Sequence, residues 1–170
     1  MGKKIVIGIA VLVVAILVFV TWYKFHYSMD IAKSFEVNTP ELEHKVLIAT
    51  QGSKFKDALV AGVVEQLKQG QTYIKVIDVS GLPQVNEAQW NAVVIMHTWE
   101  ASKPQADAKA YLERVKDLTK VIVLTTSGNG NSKMEGINAI TSASEMSNVP
   151  SLVLDIKERI DAILGSDMRK

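Results

Sequence analysis

The sequence predicts an α/β domain with a parallel sheet, preceded by one membrane-spanning helix. First, residues 5–23 form a run of nineteen positions without a charged side chain. Second, short apolar runs alternate with segments of helical spacing over the rest of the chain. Third, residues 45–165 provide about 120 positions, which suits one domain with its own core and is too few for two.

The apolar run near the N-terminus reads IVIGIAVLVVAILVFVTWY. A helix needs about 20 apolar residues to cross a hydrocarbon core of ~30 Å, so residues 5–23 are predicted to be a transmembrane anchor in contact with lipid. A buried core helix is the alternative. Bulky residues follow the run where a signal-peptide cleavage site needs small ones, so we expect no cleavage. Lys3 and Lys4 precede the anchor, and we expect the N-terminus in the cytoplasm and the domain outside it.

The remaining segments are assigned from composition. Residues 1–4 form the N-terminal flank, and residues 24–44 are polar with scattered apolar positions and are predicted to be a stalk. Residues 45–165 form the domain, and residues 166–170 a tail. The net charge is +1, with no basic run that has interleaved aromatics, so nothing points to nucleic acid. Three scattered histidines and no cysteine give no metal set of ordinary spacing.

The domain is predicted to contain five strands and three helices. The apolar, β-branched runs assigned to strands are residues 46–50, 73–79, 92–96, 121–124 and 152–156. Apolar residues at helical spacing indicate helices over residues 55–67, 108–118 and 156–164. Strands buried on both faces that alternate with amphipathic helices require a parallel sheet with right-handed crossovers, so we expect a three-layer arrangement.

Three loops are expected to carry the chemistry. In an open parallel sheet, ligands bind beyond the carboxyl ends of the strands, at the point where the strand order reverses. The loops that follow the first, third and fourth predicted strands are residues 51–56, 97–104 and 125–131. All are polar and two contain glycine, which allows backbone amides to approach an anion closely.

Residues 45–130 resemble the flavodoxin family. The segment KVLIATQGSKFKDALVAGVVEQLKQG is similar to the opening strand and helix of that family, without gaps. The segment WNAVVIMHTWEASKPQADAKAYLERVKDLTKVIVLTTSGNG is similar to its third strand, flavin-side loop, helix and fourth strand. Taken over the whole predicted domain, the resemblance covers roughly the last three-quarters of the chain, and it implies a doubly wound sheet of order 2-1-3-4-5 with FMN as the cofactor.

The first loop would hold the FMN phosphate but departs from the family pattern. That pattern runs Thr/Ser-x-Thr-Gly-x-Thr, and the resemblance places it on Thr50, Gln51, Gly52, Ser53, Lys54 and Phe55. Only Thr50 keeps its hydroxyl in place, since Gly52 and Phe55 replace two hydroxyls and Ser53 replaces the glycine. Ser53, Lys54 and the amides at the helix start are expected to bind a phosphate in their stead.

The second and third loops would hold the flavin ring. The resemblance places Thr98 and Trp99 beside the isoalloxazine, with packing beneath the loop as the alternative for Trp99. A structural role is expected for His97, next to this pair, with a hydrogen bond to a flavin or partner as the alternative. The third loop would supply backbone donors to the ring edge, with a plain glycine turn as its alternative. Its residues are Thr126, Ser127, Gly128, Asn129 and Gly130.

A further string, NAITSAS at residues 138–144, resembles the site at which some extracytoplasmic domains receive covalent FMN. Ser144 would then be the acceptor hydroxyl. Asn138 and Ser142 replace the acid and the glycine of that pattern. The alternative is an ordinary helix start that is rich in small and hydroxyl side chains.

Two functional hypotheses follow. In the first, a membrane-anchored flavodoxin-like domain binds FMN and transfers electrons to an envelope partner. In the second, a cofactor-free domain of the same fold binds another membrane or envelope protein. The sequence contains neither a Gly-x-Ser-x-Gly elbow nor a Walker phosphate loop, and no catalytic residue is assigned.

Overall fold

The computed structural model describes residues 2–27 and 29–167, without the side chains of residues 23–27 and 166–167. Met1 of the predicted flank and residues 168–170 of the predicted tail lie outside this part of the chain. The chain divides into two compact units between Asp30 and Ile31. The first contains helix α1 (Gly2–Tyr27), whose segment Gly2–Trp22 is long and apolar enough to cross a membrane.

Among the described residues, the second unit contains three α-helices and a sheet of seven strands. The strands are β1 (Phe35–Val37), β2 (His44–Thr50), β3 (Thr72–Asp78), β4 (Ala92–Glu100), β5 (Lys103–Pro104), β6 (Val121–Thr126) and β7 (Ala139–Ser142). The helices are α2 (Lys54–Leu67), α3 (Ala106–Arg114) and α4 (Val149–Asp167). The prediction of an α/β domain is therefore confirmed.

The sheet is mostly parallel. Its strand order is β1-β3-β2-β4-β6-β7, and β5 pairs with β4 outside this path. Strands β3, β2, β4, β6 and β7 run parallel to one another, while β1 is antiparallel to β3 and β5 is antiparallel to β4. The chain leaves β2 to form β3 on one side and then returns to form β4 on the other side.

Alternate residues of the strands contribute to two separate hydrophobic clusters. Val46, Ile48, Val94 and Met96 belong to the cluster that contains the apolar residues of α2 and α4. Their neighbours Leu47, Ala49, Val93 and Ile95 belong to the cluster that contains Ala108, Tyr111 and Leu112 of α3. This alternation follows from the period of two in a strand, and it buries the central strands on both faces.

The predicted strand at residues 152–156 is wrong, because these residues lie in α4. Leu152, Ile156, Ile160 and Leu164 recur every four residues, and all four are buried on the same cluster. A short apolar run fits a strand and a buried helix equally well, and here it belongs to a helix that begins beside Pro150. The fifth parallel strand is β7, in the segment interpreted as a possible helix start.

Two other segments differ from their predicted boundaries. Residues Phe35–Val37, within the predicted stalk, form β1 and pair with β3. Nearby, the backbone amide of Ala32 donates to Asp78 Oδ2 at 2.8 Å. The predicted third strand, residues 92–96, corresponds to β4, which extends to Glu100. Much of the predicted loop at residues 97–104 is therefore a hairpin formed by β4 and β5.

Candidate functional site

The carboxyl end of the sheet brings the three predicted loops together. Thr50 is the last residue of β2, and it lies opposite Met96 of β4 in the parallel register. Thr98 of β4 lies opposite Thr126, the last residue of β6. The predicted site residues therefore meet at the junction of β2 and β4, where the chain changes direction across the sheet.

Gln51 joins the first loop to β4. Its side chain is buried, and its Oε1 accepts a 2.7 Å hydrogen bond from the backbone amide of Thr98. Its Nε2 lies 3.5 Å from Glu100 Oε1. The pairing of β2 with β4 ends at Thr50 and Met96, and the Gln51 side chain makes the next contact with β4 beyond that pair. Gln51 thus fixes the first and second loops against each other.

Lys56 lies within the first predicted loop, but the sequence interpretation gave its side chain no role in the candidate site. It lies in the first turn of α2 with a relative exposure of 0%, and its Nζ donates to the hydroxyl of Thr98. That hydroxyl also lies 2.9 Å from Thr126 Oγ1, so one ammonium and two hydroxyls connect α2, β4 and β6. Burial lowers the pKa of Lys56 to about 8, although Glu100 and Asp57 act in the opposite direction.

The start of α2 has the geometry of an anion-binding helix terminus. Ser53 is the N-cap residue, and its Oγ accepts from the Lys56 amide at 3.2 Å. The amides of Lys54 and Phe55 belong to the first turn, which has no intrahelical acceptor. Gly52 is buried, whereas the side chain of Lys54 is exposed. Amide dipoles, the exposed Lys54 and the buried Lys56 therefore place positive charge here, beside the carboxylates of Asp57 and Glu100.

Trp99 is half-buried near the end of β4. It lies opposite Pro104 in the hairpin, whose turn contains Ala101 and Ser102 with φ values of 47° and 61°. These left-handed conformations are uncommon for residues other than glycine, so the tertiary structure must hold this turn in place. The indole is consequently attached to a hairpin, rather than to the open loop that the sequence predicts.

His97 is buried between β4 and β6, which is consistent with the structural role expected for it. The imidazole is 0% exposed, and its Nε2 lies 3.1 Å from Thr125 Oγ1. Burial is the main cause that lowers its pKa to about 4, and the nearby Lys56 ammonium acts in the same direction. His97 is therefore neutral at physiological pH and connects β4 to β6.

The third loop combines a fixed start with an exposed tip. Ser127 is buried, its amide donates to Ser142 O at 3.2 Å, and its Oγ donates to Asn129 Oδ1 at 2.8 Å. Gly128 and Asn129 are exposed. Gly130 has a φ of +70°, and a Cβ at this position would lie 2.9 Å from the Ala143 amide nitrogen. Only glycine allows this close approach to the segment after β7.

Ser144 lies next to the third loop, in the turn that follows β7, and is exposed. The bond from the Ser127 amide to Ser142 O and the close approach of Gly130 to Ala143 hold the two segments side by side. The structure thus brings Ser144 near residues 126–130, although they are separated along the sequence.

Neither a protein-family model nor a curated protein matches this chain. The residues themselves must therefore show whether an FMN phosphate fits this site. The free amides of α2 and the buried Lys56 ammonium are chemically suited to a phosphate, whereas two of the three family hydroxyls are missing. The residues fit the phosphate through charge and amides rather than through hydroxyl groups.

Proposed function

We propose that this chain is a membrane-anchored flavodoxin-like protein that binds FMN at the carboxyl end of its sheet and transfers electrons to an envelope partner. The observation that carries this proposal is the cluster at the β2 and β4 junction. There, the start of α2, the buried Lys56 and the half-buried Trp99 belong to the same edge of the sheet.

The strand order supports the flavodoxin-like part of the proposal. Counted among the parallel strands alone, the observed order β3-β2-β4-β6-β7 corresponds to 2-1-3-4-5. The two hydrophobic clusters, one with α2 and α4 and one with α3, support helices on both sides of a three-layer domain. A ligand site at the junction of β2 and β4 is the expected location for this topology.

The charges near α2 support a phosphate as the bound group. The amides of Lys54 and Phe55 lack intrahelical acceptors, and the helix dipole favours an anion at this end. Lys56 adds a buried positive charge in the first turn of α2, next to these amides. In a site of low polarity this charge interacts with an anion more strongly than an exposed lysine does.

The flat surface needed for a flavin ring would come from Trp99, with the exposed Gly128 and Asn129 at the ring edge. FMN, when bound, supplies the electron-transfer chemistry, while the chain positions it. The apolar segment Gly2–Trp22 supports a membrane anchor, and Lys3 and Lys4 at its start support a cytoplasmic N-terminus with the domain outside.

A cofactor-free scaffold that binds an envelope protein is the second candidate function. It is favoured by the bonds that the loops already form with one another. Gln51 occupies the Thr98 amide, and Lys56 donates to the Thr98 hydroxyl. These contacts satisfy polar groups that a ligand would otherwise bind.

Titration of the detergent-solubilised full chain with FMN distinguishes the two functions. We expect saturable quenching of flavin fluorescence, and we expect Trp99→Ala to weaken binding by about 1–3 kcal/mol, the contribution of one stacking contact. Trp99→Phe is the matched control, because it keeps an aromatic face. If Ser144 is the covalent acceptor, Ser144→Ala abolishes the added mass seen after coexpression with a flavin transferase. A chain that neither binds FMN at high micromolar concentration nor gains this mass is a cofactor-free scaffold.

A further inference from the structure

A concave region lies at the amino end of the parallel strands, opposite the candidate site. It is a cleft of about 530 Å³, which falls within the usual range for small-molecule sites. The residues that line it come from the starts of β2 and β3 and from the segments that lead into β4 and β6. They include Lys45, Tyr73, Lys75, Trp90, Asn91 and Lys120.

Backbone hydrogen bonds fix the floor of this cleft. The amide of Lys45 donates to Asn91 Oδ1 at 2.8 Å, and the amide of Asn91 donates to Lys45 O at 2.9 Å. This reciprocal pair ties the start of β2 to the residue that precedes β4. The floor is therefore built by the sheet itself and is preorganised for binding, which lowers the entropic cost of ordering it.

An aromatic pair forms one wall. The rings of Tyr73 and Trp90 are stacked, with centroids 6.0 Å apart and planes inclined by 15°. Tyr73 is buried and its hydroxyl bonds to Glu36, whereas Trp90 is only half-buried. Tyr73 thus supports the indole from beneath, and the cleft presents a flat, rigid aromatic surface.

The cleft has an excess of positive charge. Lys45, Lys75 and Lys120 line it together with a single acidic residue, Glu43. Lys75 is paired with Glu36 at 2.9 Å, but neither Lys45 nor Lys120 forms an ion pair with any residue that the structure describes. Two lysines are consequently available to an anion, in a chain whose net charge is only +1.

We propose that this cleft is a binding site for a small organic anion with a flat ring, of the aryl phosphate or aryl carboxylate class. The ring would lie against Trp90, and the anionic group would contact Lys45 and Lys120. Both chemical features are needed, because a ring alone gains nothing from the lysines and an anion alone gains nothing from the indole. The proposal is independent of FMN binding at the carboxyl end.

The three tryptophans provide a direct test. The full chain, labelled with ¹⁵N-tryptophan and kept in detergent, gives one indole signal for each of Trp22, Trp90 and Trp99, which phenylalanine variants assign. We expect phenyl phosphate and benzoate to move the Trp90 signal in a saturable way, while the Trp22 and Trp99 signals stay in place. Because FMN at the carboxyl end would move Trp99, failure of either proposal is visible separately.

Three lysine variants make the result decisive. Lys45→Gln and Lys120→Gln should each weaken binding by about tenfold, which corresponds to about 1.4 kcal/mol. Lys133→Gln, an exposed lysine outside the cleft, should leave the affinity unchanged. An unchanged Trp99 signal in every variant shows that the fold is intact. The proposal is overturned if benzyl alcohol binds as well as phenyl phosphate, if the lysine variants bind normally, or if Trp90 does not respond at millimolar concentrations.

Discussion

Replacement of Lys56 with methionine tests whether the buried ammonium destabilises the native domain. Methionine has a similar length and carries no charge, so it removes the ion and keeps most of the packing. Burial lowers the pKa of Lys56 from 10.5 to about 8. Because one pKa unit corresponds to about 1.4 kcal/mol, the charged form is disfavoured in the native state by about 3 kcal/mol.

The sign of the pH dependence follows from proton linkage. Between pH 8 and 10.5 the unfolded chain keeps the Lys56 proton more readily than the native chain does, so stability rises as the pH increases through this window. The two pKa values give a gain of about 2 kcal/mol between about pH 7 and pH 9.5 for the wild type. Lys56→Met should lack this gain.

Urea unfolding of the unit that begins at Ile31, monitored by circular dichroism at pH 7 and pH 9.5, measures this gain in the free energy of unfolding. Lys54→Met is the matched control, because Lys54 lies two residues away on the same helix and is exposed. The contributions of the other titrating groups to the pH dependence cancel when each variant is compared with the wild type. If the stability of Lys56→Met and that of the wild type depend equally on pH, burial does not lower the pKa of Lys56 and the reasoning is refuted.

Two further predictions concern packing and the sheet edge. A Cβ at Gly62 would lie 2.6 Å from Val153 Cγ2, so Gly62→Ala should destabilise the domain by roughly 1–2 kcal/mol despite the better helix propensity of alanine. Addition of Val153→Ala to this variant should restore part of the lost stability, as measured by urea unfolding. No recovery would show that α2 and α4 are not in close contact there. A chain that begins at Ile31 should unfold cooperatively. A chain that begins at Thr39 should be less stable by roughly 2–3 kcal/mol, because it loses β1 and the hydrogen bonds from Asn38 Nδ2 to Lys68 O and Thr72 O. Equal urea midpoints for the two chains would contradict a structural role for β1.

The sequence is sufficient to predict the strands that are apolar throughout. Strands β2, β4 and β6 have buried runs such as Val93–Val94–Ile95, so composition alone indicates a strand buried on both faces. Strand β7 reads AITS, which is short and half polar, and its pairing with β6 depends on tertiary contacts. The run LVLDI was the stronger strand signal locally, but packing on α2 decides in favour of a helix.

The location of the candidate site follows from topology, but its internal bonds do not. Alternating strands and helices are enough to place the ends of β2, β4 and β6 at one edge. The side chain of Lys56 was given no role because a lysine in the first turn of a helix is usually exposed. A signal was present, since Lys56 precedes Val60 and Val63 by four and seven residues and therefore lies on the buried face of α2. The bond from the Thr98 amide to Gln51 depends on where the pairing of β2 with β4 ends, which the sequence does not reveal.

Strand β1 also has a consequence for the dynamics of the sheet. It contains only three residues, two of them exposed. The ion pair that joins Glu36 of β1 to Lys75 of β3 is accessible to water. Exposed ion pairs contribute little, so β1 belongs to the part of the structure that opens at low free energy. The amides of β3 that it protects should exchange with deuterium through this local opening, well before the amides of the central strand β2, which are released only by global unfolding.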